Sequence, residues 1–206
     1  MGAIMDWLAG GLGWVLDQLV QLTGSYGLSI ILSTVIVRLL LYPLMLSQTK
    51  SMIAMRKLQP ELEKLQKKYG NDKEKYQEKM VELYREHNIN PLGGCLPMLL
   101  QLPVLFAFFR VLNSSNFGEG AKFLGLWVLN QPDPYYILPI LSAVTTYIQS
   151  RMTMSDPSQK AMLFVMPIML GFLSLSFPSG MVIYWITSNL FGIAQQAWMN
   201  KLYPVE

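Results

Sequence analysis

Long apolar runs separated by short polar segments make up most of the chain. About 20 helical residues, rising about 1.5 Å each, cover the roughly 30 Å hydrocarbon core of a bilayer. Five runs approach this length, and we predict them to be transmembrane helices: Tyr26 to Leu46, Gly94 to Val111, Tyr135 to Met152, Ala161 to Phe177, and Gly180 to Trp198. The pattern therefore predicts an all-α membrane protein with five transmembrane helices.

The segment before the first run has a two-faced pattern. Apolar residues recur at spacings of four and three residues, at Leu8, Leu12, Val15, Leu19 and Leu22. Asp6 and Asp17 fall on another face of the same helix, which is typical of a helix that lies in the membrane interface. Trp7 and Trp14 suit the headgroup level. We predict an interfacial amphipathic helix over residues 1–24, followed by transmembrane helix 1 within residues 25–49.

One polar insert interrupts the apolar pattern. Ten of the 16 Lys and Arg and seven of the 13 Asp and Glu lie between Lys50 and Glu86. Pro60 suits a first helical turn, Gly70 a helix end, and Asn71 or Asp72 a cap of the next helix. We predict a charged helical hairpin over residues 50–89, with a solvated spacer as the alternative.

The distribution of Lys and Arg predicts the orientation. The insert carries ten and the connection from Arg151 to Lys160 carries two, whereas the loop from Asn113 to Pro134 has only Lys122. The N-terminus is therefore expected outside and the hairpin in the cytoplasm. Transmembrane helices 2–5 fall within residues 90–198, and residues 199–206 form a short cytoplasmic tail.

Composition narrows the function classes. The chain is 52% hydrophobic and 14% charged, whereas about a quarter of the residues in soluble domains are charged. The net charge of +3 is too small to indicate a nucleic-acid partner. The single cysteine, Cys95, excludes an internal disulfide, and the sequence has no P-loop, no zinc motif and no histidine within a predicted span. We expect no metal, no cofactor, no catalytic residues and no enzymatic activity.

Arg38 is the only charged residue between Gly27 and Leu46. An arginine at this depth costs from a few to over ten kcal/mol, depending on the reference state. No acidic residue lies in any predicted span, so polar groups and water must solvate the guanidinium.

Polar side chains on the predicted helices form stripes that can supply this solvation. The third run carries Ser142, Thr145, Thr146 and Gln149 on one face, and the fifth carries Trp185, Ser188, Asn189 and Gln196. Thr34 lies one turn from Arg38, and Gln101 adds an amide in the second run. Each stripe alone is compatible with ordinary interhelical hydrogen bonding, but together with an unpaired cation they favour a wet cavity.

Two long segments and the arginine-bearing first run resemble a known family. NPLGGCLPMLLQLPVLFAFF (Asn90 to Phe109) and FPSGMVIYWITSNLF (Phe177 to Phe191) are similar to the YidC/Oxa/Alb membrane protein insertases, and the short bacterial YidC type in particular. The resemblance covers nearly all of the chain from Tyr26 to Trp198. It implies five core helices around a hydrophilic groove that is open to the cytoplasm and to lipid and closed to the outside.

The resemblance also implies roles for individual residues. Arg38 is the positive residue of the groove, and Gln149 and Trp185 match groove positions. With the polar stripes, the expected substrate groove comprises Thr34, Arg38, Thr145, Thr146, Gln149, Trp185, Ser188 and Asn189. The apolar segment of a substrate is expected to slide into lipid beside Leu102, Pro103 and the fifth span.

The implied partners are nascent membrane proteins and the lipid bilayer of the bacterial cell membrane, with or without a Sec translocon. The tail after Trp198 is short and holds only Lys201, so the hairpin is the better candidate contact for a ribosome. Two other functions remain open, a polar-cavity transporter and a passive scaffold for assembling membrane complexes. A transporter would usually show repeated halves, and we see no internal repeat.

Overall fold

The computed structural model describes residues 2–87, 96–113, 120–153 and 161–202. Within these ranges it contains nine helices and one two-stranded antiparallel sheet. They are α1 Gly2–Thr23, α2 Tyr26–Leu40, α3 Tyr42–Lys57, α4 Gln59–Tyr69, α5 Lys73–Glu86, α6 Leu96–Leu112, β1 Lys122–Phe123, β2 Trp127–Val128, α7 Ile137–Thr153, α8 Met162–Ser174 and α9 Ser179–Leu202.

The main apolar core joins α1, α2, α6, α7, α9 and the β1–β2 hairpin. Leu16, Ile30, Phe108 and Tyr184 are its most deeply buried large side chains. The Phe108 and Tyr184 rings stack with centroids 4.1 Å apart, which fixes α6 against α9. α7 packs between α8 and α9, so α8 lies at the edge of this arrangement.

α1 packs along α2 and α6 through Leu12 and Leu16. It ends where Gly24 adopts a φ of +66°, a conformation that glycine reaches without the penalty of a Cβ atom. Trp7 and Trp14 point away from the core and are exposed, and so is Leu22 at the end of the apolar stripe. The position of α1 in the membrane interface stays a prediction.

The first run, Tyr26 to Leu46, was expected to form one continuous helix, and this was wrong. The helix breaks at Leu41, and α2 and α3 meet at a bend of 62°. Pro43 explains the break, because proline has no N–H to donate to the carbonyl four residues earlier and its ring clashes there. None of the described helices alone is long and apolar enough to cross a bilayer, whereas α2 and α3 as far as Met55 meet that criterion together.

The other four predicted runs correspond to α6, α7, α8 and α9, with shifted ends. α8 is shorter than its run and ends at Ser174, and α9 continues to Leu202. Gly94 and Cys95 lie outside the described residues, as do residues 88–89 of the hairpin, residues 154–160, and the last four of the tail. The count of five transmembrane helices stays a prediction.

Large apolar side chains cover the outward faces of α7 and α8. On α7 they recur at helical spacing, at Ile137, Ile140, Leu141, Val144 and Ile148. On α8, whose sequence is apolar nearly throughout, Phe164, Ile168 and Phe172 are among the most exposed. Exposed apolar surface of this extent suits contact with lipid rather than water.

α4 and α5 pack on each other through a second apolar cluster of Leu58, Leu62, Leu83 and Tyr84. Pro60 stands in the first turn of α4. Asp72, rather than Asn71, caps α5 by accepting a bond from Lys75 N at 3.2 Å. On the exposed face, Glu82 lies beside Lys79 and raises the pKa of that ammonium. None of the described side chains in this cluster belongs to the main core, so the helical pair is a separate packing unit.

Candidate functional site

Arg38 lies near the end of α2 and is buried, with 8% of its surface exposed. Its Nε donates to Ser188 Oγ on α9 at 3.0 Å, and Nη2 donates to the same oxygen. Nη2 also donates to Gln101 Oε1 on α6 at 3.3 Å, and Nη1 to Met45 Sδ on α3 at 3.3 Å. The guanidinium therefore joins four helices.

All of these partners are electrically neutral. Among the residues that the structure describes, the ion pairs are Lys75–Asp72, Lys79–Glu82 and Arg110–Asp6, and none involves Arg38. A buried charge without a counterion keeps much of its desolvation cost even when its donors are satisfied. Arg38 is thus a buried cation whose partners among the described residues are all neutral.

Tyr184 orients the amide that faces Arg38. Gln101 Nε2 donates to the Tyr184 hydroxyl, which turns Gln101 Oε1 toward the guanidinium. Tyr184 is itself held by its stacking on Phe108. The apolar core and the polar site are therefore joined through one tyrosine side chain.

A small cavity lies beside the guanidinium. Its lining includes Thr34, Arg38, Gln101, Tyr184 and Ser188, and its volume is about 10 Å³. This is close to the least volume that holds one water molecule. Thr34 lines the cavity, but its hydroxyl donates to Ile30 O within α2 at 2.6 Å and so points away from the polar partners of Arg38.

A second polar cluster links α7 to α9. Trp185 Nε1 donates to Thr146 Oγ1 at 3.1 Å, and the Asn189 amide lies 3.1 Å from Thr145 Oγ1 and 2.9 Å from Thr146 Oγ1. When the Asn189 side-chain oxygen is placed toward Thr145 and Thr146, the Asn189 side-chain nitrogen donates to Gln149 Oε1 at 2.6 Å. Hydrogen bonds thus connect all five predicted residues of α7 and α9 in this cluster into one network.

Gly192 leaves the space on α9 that the Gln149 side chain occupies. A Cβ on Gly192 would lie 2.5 Å from Gln149 Nε2, so any larger residue would displace the amide. This glycine, one turn beyond Asn189 on α9, carries no polar group and was not identified from the sequence. Only the packing of α7 on α9 reveals its role.

The structure divides the predicted groove residues into two groups. Arg38, Ser188 and Thr34 line the cavity, whereas Thr145, Thr146, Gln149, Trp185 and Asn189 form the α7–α9 cluster. The groups adjoin along α9, where Ser188 precedes Asn189. Ser142, from the same predicted stripe, instead accepts from Ser174 Oγ on α8 at 3.1 Å and belongs to the α7–α8 contact.

The predicted slide residues lie on the outward side of α6. Leu102 is exposed, Pro103 is half-buried, and Phe106 and Phe109 continue the exposed apolar stripe at helical spacing. The sequence interpretation overlooked Met45 and Tyr184, because a methionine and a tyrosine in apolar runs look like core residues. No group of three His, Cys, Asp or Glu that could hold a metal ion occurs in the described ranges.

Comparisons with known proteins point to one family. The model of the 60Kd inner membrane protein family matches residues 18–206. The chain is 44% identical over 204 residues to the membrane protein insertase YidC of Fusobacterium nucleatum subsp. nucleatum, and the match covers 98% of each chain. It is 46% identical over 183 residues to YidC of Geobacter sulfurreducens, which is 87% of this chain and 34% of that one.

A solved structure gives the same result. The crystal structure of an active YidC insertase with its first transmembrane domain resolved matches with a TM-score of 0.75 and 36% identity, over 92% of this chain and 45% of that one. The chain therefore spans nearly the full length of the Fusobacterium relative, but about a third of the Geobacter relative.

Proposed function

Because this chain belongs to the 60Kd inner membrane protein family of YidC insertases of the bacterial plasma membrane, we propose that it inserts nascent membrane proteins through the Arg38 site. A polar segment of the substrate enters from the cytoplasmic side, and its acidic groups are attracted to Arg38. The apolar segment then moves into lipid along α6, past Leu102 and Pro103, and beside α9. No covalent step is involved, so the protein acts as an insertase and chaperone and not as an enzyme.

The observation that carries this proposal is the buried guanidinium, whose partners within the described part of the chain are all neutral. Two unit charges about 4 Å apart attract by about 4 kcal/mol at an effective dielectric constant of about 20, against about 1 kcal/mol in water. The Coulombic attraction between an acidic tail and Arg38 is therefore stronger than its attraction to a lysine or arginine in solution. Since the tail leaves water only as far as this site, it crosses only part of the hydrocarbon.

The polar side chains support the same role. In the described conformation Thr145, Thr146, Ser188 and Asn189 are buried and bonded to one another or to Arg38. A substrate's polar segment offers donors and acceptors of the same kind, so it can replace these bonds as it enters. We propose that the groove opens in this way, by substitution of hydrogen bonds.

The proposed orientation has the N-terminus outside, the C-terminus in the cytoplasm and five spans between them. The basic residues of α4 and α5 support a cytoplasmic position for the helical pair. There the pair is placed to capture substrates or the ribosome, and Sec-dependent and Sec-independent insertion are both compatible with this arrangement.

The test is insertion of one purified single-span substrate into liposomes, in versions with an acidic and a neutral tail, measured by protease protection. Arg38→Ala is expected to slow insertion of the acidic version at least about tenfold, which corresponds to about 1.4 kcal/mol. Arg38→Lys is the matched control and should keep most of the activity, and Arg38→Glu should be worse than alanine for the acidic tail only.

Three outcomes would contradict the proposal. Equal loss of both substrates in Arg38→Ala, together with inactive Arg38→Lys, would make Arg38 a structural hub. Insertion that is indifferent to Arg38 would indicate a passive scaffold. Flux of small polar solutes without insertion would indicate a transporter.

A further inference from the structure

One nitrogen of the Arg38 guanidinium faces sulfur rather than oxygen. Nε and Nη2 donate to side-chain oxygens of Ser188 and Gln101. Within the described part of the chain, the acceptor of Nη1 is the Met45 thioether sulfur, at 3.3 Å. A thioether is a weak acceptor. Nη1 is therefore the least well solvated end of a buried cation, and a stronger acceptor in the place of that sulfur would stabilise the charge.

A single chemical change at Met45 supplies such an acceptor. The Met45 side chain is half-buried and lines the small cavity beside the guanidinium, together with Gln101 and Ser188. Oxidation adds one oxygen to a methionine sulfur and turns an apolar side chain into a polar one. The new oxygen would form on the sulfur that already contacts Nη1, and the three rotatable bonds of methionine let the side chain turn it toward the guanidinium.

The backbone of Met45 keeps this sulfur at the site. Met45 N donates to Leu41 O at 3.0 Å at the bend between α2 and α3, and Thr49 Oγ1 donates to Met45 O at 2.9 Å one turn later. Among the described residues, Met45 is the methionine whose sulfur contacts Arg38. Met162 on α8 is 49% exposed and does not line the cavity, so its oxidation leaves the guanidinium untouched.

We propose that Met45 is a modification site through which oxidation regulates the Arg38 site. The oxidant is a peroxide, with hydrogen peroxide as the simplest case. A sulfur lone pair attacks one peroxide oxygen, the O–O bond breaks as the S–O bond forms, and the released hydroxide takes the proton of the transferred oxygen to become water. The sulfur loses two electrons and the peroxide gains them. Methionine sulfoxide reductases reverse the change, so the modification acts as a switch.

The sulfoxide oxygen competes with the substrate for the guanidinium. A charged donor bonds a strong acceptor more tightly than a weak one, so Nη1 holds a sulfoxide oxygen better than a thioether sulfur. An acidic group of the substrate must displace that oxygen to contact Nη1, and the displacement is harder after oxidation. This consequence rests on the proposed role of Arg38 in insertion, whereas the bond between the sulfoxide and the guanidinium does not.

Insertion of the acidic-tail substrate into liposomes tests the consequence, with each protein compared with its own untreated sample. Dilute hydrogen peroxide, quenched before reconstitution, is expected to slow the unmodified protein roughly threefold, and methionine sulfoxide reductases A and B together should restore the rate. Met45→Leu cannot form a sulfoxide, so peroxide should not slow it. Met162→Leu is the matched control and should be slowed like the unmodified protein. Peptide mass spectrometry measures the sulfoxide at Met45.

Met45→Gln tests the bond without any oxidant, because a neutral amide oxygen stands in for the sulfoxide oxygen. Denaturant titrations in detergent give the folding equilibrium constants of Met45→Gln and Met45→Leu, each with Arg38 and with Arg38→Ala. The ratio of the Met45→Gln constant to the Met45→Leu constant should be roughly tenfold larger when Arg38 is present. This measurement requires no insertion activity.

Three results would overturn the proposal: equal slowing of Met45→Leu by peroxide, no sulfoxide at Met45 in protein that peroxide has slowed, or a stability ratio that does not depend on Arg38. Unchanged insertion after oxidation of Met45 would also overturn it if Arg38→Ala slows insertion. If insertion is indifferent to Arg38, the proposed function fails, and the stability ratio still decides whether position 45 bonds the guanidinium. If Met45→Leu yields no folded protein, Met45→Ile takes its place under the same criteria.

Discussion

Ser188 supports the buried charge more than any other described residue, because its oxygen accepts from both Nε and Nη2 of Arg38. Gln101 and Met45 each accept one weaker bond at 3.3 Å. Bonds to charged groups contribute about 1.5–3 kcal/mol each, and loss of an acceptor leaves buried donors unpaired. The Ser188 hydroxyl therefore contributes the largest share of the hydrogen bonding that stabilises the buried arginine.

Ser188→Ala should lower the free energy of unfolding in detergent by about 1–3 kcal/mol, and by much less in an Arg38→Ala background, where no charge is left unpaired. A double-mutant cycle from denaturant titrations measures the coupling. Thr187→Ala is the matched control, since the Thr187 hydroxyl, as far as the described residues show, bonds to Ile183 O of its own helix at 2.8 Å and not to another helix. Additive effects of the Arg38 and Ser188 substitutions would contradict the assignment.

At the scale of elements, the bend between α2 and α3 gives Arg38 one of its partners. Met45 lies beyond the bend, yet its sulfur accepts from Arg38 across it. The α4–α5 pair continues from α3 and has its own apolar cluster around Leu62 and Tyr84. α3 thus connects the helical pair to the site, while the two apolar clusters stay independent.

Replacing residues 59–84 by a short Gly-Ser linker should leave the transmembrane bundle folded and slow insertion. The bundle should survive because its core shares no side chain with the cluster of the pair. Thermal unfolding in detergent and liposome insertion are the two measurements. Leu62→Asp, which places an unpaired charge in the buried cluster of the pair, is the companion variant and should slow insertion in the same direction. If the deletion variant inserts the substrate as fast as the unmodified protein, the α4–α5 pair is only a spacer.

At the scale of the whole molecule, the described conformation is closed around its polar residues. Thr34, Thr145 and Ser188 retain at most 6% of their surface, whereas Ile36 and Val144 on the outward faces retain 38% and 47%. The exposed positions face the proposed lipid side. Water should therefore reach the polar residues only when the helices separate.

Single cysteines at Thr34, Thr145 and Ser188, in a Cys95→Ser background, should react slowly with a water-soluble maleimide at rest and at least about tenfold faster during insertion. That ratio corresponds to a shift of about 1.4 kcal/mol in the opening equilibrium. Cysteines at Ile36 and Val144 are the controls and should stay unreactive in both conditions, because lipid covers them. If the three polar positions react equally fast with and without substrate, the groove does not open by exchange of its hydrogen bonds for bonds to the substrate.

The sequence by itself determined the features that depend on local order or on composition. Apolar runs placed α6 to α9 within a few residues, because burial in lipid or core requires continuous apolar surface. Asp72 could be identified as one of two candidate caps, since capping is decided within four residues. The absence of an acidic partner for Arg38 in any predicted span followed from the composition of the spans alone.

Tertiary structure decided which faces meet. Helical periodicity assigns residues to one face of a helix but does not say which helix that face contacts, so Ser142 joined α8 while its neighbours Thr145 and Thr146 joined α9. The pairing of Arg38 with Ser188, 150 residues away, depends on the packing of α2 on α9. The packing of the Phe123 ring against Gly27 requires the β1–β2 hairpin to fold back onto α2. These contacts arise from the shape complementarity of distant segments, which no local pattern encodes.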